Sequence, residues 1–126
     1  MRAVDTNLLV RLVIRDDPRQ AAAADDFIAS GAWVSHVVLA EFAWVLESVY
    51  SLKPRELALA VEMLMEHEHV TLQEAEVVDS ALRAFRSSSV SFTDCLVLSL
   101  ARKAGHLPLG TFDRRLSKLD GAELVK

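Results

Sequence analysis

With one cysteine in 126 residues, an internal disulfide is excluded, and nothing covalent beyond the backbone can staple this chain. Cys95 therefore reads as a small apolar packing residue, and the same scarcity points to a reducing, cytoplasmic setting. No uncharged apolar run reaches the roughly 18 residues that a membrane span requires, although apolar side chains make up 52% of the sequence. Arg2 and Asp5 interrupt what would have to be the apolar segment of a secretion signal, so none is expected. Basic excess is missing too. The 14 Lys and Arg against 18 Asp and Glu leave a formal net charge of −4, which excludes a grip on nucleic acid by overall basicity and leaves room for a local basic site. There is no internal repeat and no low-complexity segment. The expectation is a single domain over residues 1–126, long enough to bury roughly two thirds of the surface its unfolded chain would expose.

What is present is an alternation of short apolar strands and amphipathic helices. A β-branched start, Ala3-Val4, ends in Asp5-Thr6-Asn7, and a helical run begins at once with Leu8. Asp16-Asp17-Pro18 reads as caps and a proline that open a second helix, which Ser30-Gly31 stops, and Ala32-Trp33-Val34-Ser35 reads as the next strand. From Val37 to Tyr50 the spacing predicts a helix with Val38, Phe42, Val45, Leu46 and Val49 on one apolar stripe and Glu41 off it. Lys53-Pro54 opens another helix, ended by His67-Glu68-His69. A His-x-His pair can bind zinc, but no third ligand is nearby and a helix C-terminus already favours histidine.

Val70-Thr71-Leu72 is the third expected strand, followed by a helix from Glu74 to Arg86 with Ala75, Val78, Leu82 and Phe85 inward. The most apolar helix begins at Ser91, with Asp94 at capping-box spacing, and stops at Gly105. His106 to Gly110 reads as a fourth strand, Asp113 as the cap of a brief helix Arg114 to Lys118, and Ala122 to Val125 as a last strand. Strands alternating with helices imply a layered α/β fold on a parallel sheet.

In such a fold the carboxyl ends of the strands gather functional groups. Asp5, Glu41, Asp94 and Asp113 all fall where that topology would collect them, and each alone is explained as a cap or dipole partner. Brought together, four carboxylates repel unless protons or a cation neutralise them. Oxygen donors without supporting His or Cys select Mg²⁺ or Mn²⁺ over Zn²⁺. A divalent ion held this way activates water and stabilises charge on a phosphoryl group, so phosphodiester hydrolysis is the chemistry that fits.

Asp5-Thr-Asn, Leu39-Ala-Glu41-Phe42, Phe92-Thr-Asp94-Cys-Leu96 and Thr111-Phe-Asp113 resemble, in order and spacing, the acidic motifs of PIN domains, particularly VapC-like toxins of toxin–antitoxin pairs. That resemblance implies a three-layer α/β/α sandwich around a short parallel sheet. It implies that Asp5, Glu41, Asp94 and Asp113 are catalytic and bind Mg²⁺ or Mn²⁺, with Asp5 and Asp94 as direct ligands. Asn7 and Thr111 match the family's polar positions, Thr111 orienting water or a carboxylate, and Thr6 is a weaker candidate. RNA cleavage, a homodimer and a cognate antitoxin are the implied activity and partners, with no membrane association. The chain departs from many relatives after Asp113, where Arg114 and Arg115 stand in place of a further acid, which puts a two-metal site in doubt.

Those arginines suit RNA phosphates. Arg11, Arg15, Arg102, Lys103, Arg114, Arg115 and Lys118 are the local cations available, and Arg114 and Arg115 adjoin Asp113. A phospho-acceptor receiver domain would need an aspartate after the third strand, where Leu72-Gln73 stands, and a dehalogenase-type phosphatase would need an acid at Asn7. Both fail. A binding module of the same fold with little turnover would carry the same four acids and is the remaining alternative.

Overall fold

The chain leaves its first strand, β1 (Arg2–Ala3), through Val4 into Asp5, whose extended backbone ends the strand and whose side chain begins the helix α1 (Thr6–Ile14). Asp5 Oδ1 accepts the Leu8 N–H at 3.0 Å, satisfying one of the donors that a helix N-terminus leaves over. Arg15, in the left-handed region at φ 59°, closes α1. Asp17 then caps α2 (Pro18–Ile28), with proline where its missing N–H costs nothing. The strands β2 (Ala32–Val34) and β3 (Val70–Leu72) are separated by α3 (His36–Ser48) and α4 (Pro54–Glu66). The computed structural model describes all 126 residues, which divide into two compact units, Met1–Ala75 and Glu76–Lys126.

In the first unit β1, β2 and β3 form a parallel sheet in sequence order, with Ala3 paired to Trp33 and Trp33 to Thr71. Ala32, Val34, Val70 and Leu72 are buried while Trp33 and Thr71 between them are exposed, the period of two expected for a pleated strand. Parallel strands bring their carboxyl ends to one edge, so Asp5, Ser35 and Gln73 start the chain's departures from the same side of the sheet. Gln73 Oε1 ties that edge together by accepting the His36 N–H at 2.9 Å.

Leu39, Phe42, Ala43 and Leu46 form the buried stripe of α3. Val38 and Val45 are only half-buried, and Val49, expected on that stripe, is 64% exposed at the C-cap of α3. His36 is buried at the start of α3, its Nε2 without a partner.

The second unit contains α5 (Ala75–Arg86, beginning on the boundary), α6 (Phe92–Ala104) and the parallel pair β4 (Leu109–Thr111) and β5 (Ala122–Leu124). Val78, Leu82 and Phe85 point inward as expected, whereas Ala75, the first residue of α5, is exposed. Phe85 and Phe92 meet edge to face, centroids 6.0 Å apart, the arrangement favoured by the ring quadrupoles. Ser91 Oγ caps α6 through the Asp94 N–H, and Gly105, at φ 82°, ends it. The fourth strand starts at Leu109 rather than His106, since Pro108 has no N–H to give a ladder. The brief helix expected from Arg114 is a single 3-10 turn, Leu116–Lys118. The fold is therefore the mixed α/β type expected, with six helices and short parallel strands. No helix is long and apolar enough to cross a membrane.

Candidate functional site

Two of the four acids, Asp5 and Glu41, lie in the first unit, and two, Asp94 and Asp113, in the second. Neither unit gathers three or more His, Cys, Asp or Glu side chains into a group able to hold a metal. Asp5 sits just beyond β1, exposed, with Oδ1 committed to its cap bond and Oδ2 free. Glu41 is in the second turn of α3, roughly 9 Å along the helix axis from the cap at Ser35. Val37, Glu41 and Trp44 share its exposed face, Trp44 being 64% exposed. No hydrogen bond or ion pair engages the Glu41 carboxylate.

Asp94 lies in the first turn of α6, half-buried, its backbone N–H given to Ser91 and its carboxylate without a hydrogen-bond partner. Asp113 follows β4 and is held more tightly. Its Oδ1 accepts two backbone N–H groups, from Arg115 at 2.8 Å and Leu116 at 3.0 Å, while Thr111 Oγ1 accepts the Asp113 N–H at 3.0 Å. Thr111 thus positions Asp113 through its backbone N–H. Asn7 is exposed on α1 and borders a groove of about 350 Å³ whose polar lining also includes Arg11 and Gln20. Thr6 is half-buried and makes no side-chain hydrogen bond.

The chemistry of these donors fits a hard cation. Each of the four acids keeps at least one carboxylate oxygen outside protein hydrogen bonds. Cys95, next to Asp94 in the chain, is buried, and desolvation pushes its thiol up to about 11, so it is no thiolate ligand at neutral pH. The His67–His69 pair is locally occupied as well. His67 Nδ1 accepts the His69 N–H, and His69 Nε2 lies 3.0 Å from Glu68 Oε1.

The seven cations named for RNA sort sharply. Arg11 bonds Asp16 and the Tyr50 hydroxyl, Arg15 makes a two-pronged pair with Asp25, Arg102 donates to the Asp120 carbonyl, and Lys103 pairs with Glu76. The side chains of Arg114, Arg115 and Lys118 are exposed and held by no ion pair or hydrogen bond. One residue the sequence reading passed over stands beside them: Phe112, inside the Thr111-Phe-Asp113 motif, is 80% exposed. Its only signal in the sequence was an aromatic residue wedged between two polar ones and two arginines.

A comparison with curated proteins returned no match. The PIN domain family model matches residues 2–122, a span that contains all four acids, and PIN domains are in general nucleases that need divalent metal ions. The match runs over most of the chain, and the chain belongs to the PIN domain family.

Proposed function

We propose that this chain is a divalent-metal-dependent endoribonuclease, with Asp5, Glu41, Asp94 and Asp113 as its metal-ligating acids and Mg²⁺ or Mn²⁺ as the ion. The observation that carries this reading is the ordered set of four acids, each with a free carboxylate oxygen, inside the PIN match. When bound, the ion supplies an activated water and offsets charge on the phosphoryl oxygens. Asp5 and Asp113 have one oxygen anchored by backbone N–H groups, so the other oxygen has few positions to occupy and loses little freedom on binding a cation. The toxin role belongs to the same proposal: a cytoplasmic, homodimeric ribonuclease, one domain over residues 1–126, silenced by a cognate antitoxin.

The test is cleavage of a mixed single-stranded RNA pool in Mg²⁺ or Mn²⁺, with and without chelator. Asp5→Asn and Asp94→Asn should each lower the rate on the order of 10³-fold, as expected when charge stabilisation at a phosphoryl group is lost. Calorimetry should show weaker Mg²⁺ uptake by both. A wild-type protein that binds RNA but leaves the pool intact across both metals would sink the enzyme reading and leave a binding module.

A further inference from the structure

A phenylalanine ring left in water forgoes the burial that holds a fold together, roughly 25 cal/mol for each Å² of apolar surface. Single exposed apolar residues are common, so exposure alone carries little. Three further observations distinguish Phe112. The first is that its loop is held. Thr111 is paired in β4 with Leu124, the Val125 N–H reaches the Thr111 carbonyl at 2.8 Å, Asp113 receives two backbone N–H groups, and Leu116 is buried as an anchor on the far side. The ring is presented by a fastened turn.

The second is the company it keeps. Arg114 and Arg115 follow within three residues, exposed and unpaired, while four of the five other candidate cations are engaged by carboxylates or carbonyls within the protein. Asp113, the one acid in the turn, points an oxygen at backbone N–H groups and does not neutralise either guanidinium. The third is the address: Phe112 adjoins Asp113, one of the four acids assigned to the metal above. A ring flanked by Thr111 and Asp113 and followed by two free cations is matched by a ligand with a flat π-face and an anionic backbone.

We propose that Phe112 is a stacking platform for an unpaired base of single-stranded RNA, with Arg114 and Arg115 contacting the phosphates that flank it. This rests on the nuclease reading and names the form of substrate that the site accepts. Every base has a π-face, so the platform selects for strand openness and is tolerant of sequence. A duplex keeps its bases stacked on one another and cannot offer one to the ring. The turn would thus fix an unpaired nucleotide beside Asp113.

Fluorescence anisotropy of labelled single-stranded RNA and of the same sequence as duplex, with Ca²⁺ in place of Mg²⁺ to suppress cleavage, tests this directly. Phe112→Ala should raise the single-strand Kd by roughly 5- to 150-fold, the range of one base–aromatic stack, with duplex affinity nearly unchanged. Phe112→Leu should behave like alanine and Phe112→Trp should restore binding, since the ring face and not apolarity is what counts. Arg114→Ala and Arg115→Ala should each flatten the slope of log K against log salt by about 0.7. The ring is so exposed that thermal melts of the Phe112 variants should match wild type. If wild type binds RNA and Phe112→Ala or Phe112→Leu binds equally well, the platform is wrong while the nuclease reading stands. If wild type binds no RNA, both fall. A Phe112→Ala chain whose RNA affinity holds while its oligomeric state changes would assign the ring to a protein contact and overturn the proposal.

Discussion

Among the seven cations named above for RNA, those in residues 1–75 and those in residues 76–126 are held differently. In the first unit Arg11 and Arg15 are turned back on the fold by Asp16, Tyr50 and Asp25. In the second, Arg102 and Lys103 are used the same way, yet Arg114, Arg115 and Lys118 are left open, close in sequence to the exposed Phe112. The first unit rests on a three-stranded sheet flanked in sequence by four helices, the second on two helices and a two-stranded pair. Cations held by partners support structure, and cations without partners are available to a polyanion. The lesson is that a net charge of −4 says little about where nucleic acid could bind, because the sum hides which cations are already taken.

If both units are packed to the same standard, equivalent cuts should cost the same. Phe42 in α3 and Phe92 in α6 are each fully buried. Phe42→Ala and Phe92→Ala should each destabilise by about 3–5 kcal/mol in urea unfolding. A much smaller loss for Phe92→Ala would show the second unit to be the looser one, and two separate transitions would show that the units unfold independently. The helix caps give a gentler form of the same comparison. Ser35 Oγ accepts the Val38 N–H and Ser91 Oγ the Asp94 N–H, both at 3.1 Å. Ser35→Ala and Ser91→Ala should each cost about 1 kcal/mol. Ser91→Ala should in addition slow RNA cleavage if Asp94 depends on that cap for its position, an effect that a purely structural cap would lack.

Local chemistry was legible in the chain and tertiary context was not. The caps at Asp5, Asp17, Ser91 and Asp113 follow from side chains short enough to reach a nearby N–H, and all four make those bonds. Helix ends depend on how far packing extends, which periodicity does not carry, and Val49 and Ala75, expected on buried faces, are exposed. Pro108 carries the information that β4 starts late, because a residue without an N–H cannot join the ladder however apolar the run around it. For the acids, order and spacing were readable, while the oxygen each one keeps free depends on the loop that holds it. Phe112 was invisible as a binding residue because exposure belongs to the folded chain: the same letter at Phe92 is fully buried.

Cys95 sharpens the comparison through pH. Burial raises its thiol from 9.0 to about 11, against a smaller opposing hydrogen bond from Ser88, and the nearby Asp94 charge adds to the rise. The folded state holds the proton more tightly than the unfolded chain does. The resulting stabilisation is complete below pH 9 and is lost as pH climbs toward 11. Melting temperature should therefore fall across that window, and by less in Cys95→Ala, which starts from a lower value because of the cavity left behind. Iodoacetamide should leave the native thiol unmodified at neutral pH. Rapid alkylation there would mean that α6 opens readily and that the second unit is the more mobile of the two.

The smallest expected effect compares two exposed ion pairs. Arg15 grips Asp25 through both guanidinium nitrogens, at 2.9 and 2.7 Å, while Arg83 meets Asp79 through one, at 3.0 Å along a single helix. The Arg15 hydrogen bond holds the Asp25 carboxyl below its ordinary value, helped by the charges of Arg15 and His67. That stabilisation is present above the ordinary carboxylate range and fades as pH falls through it. Asp25→Asn should lower the melting temperature by about 1–2 °C at low salt and by less at high salt, because both side chains are half in water and screened. Asp79→Asn should lower it by less, since one contact on a mobile surface orders two side chains for little return. The opposite ranking would mean that the single contact on α5 does more for its unit than the two-pronged pair on α1 and α2 does for the other.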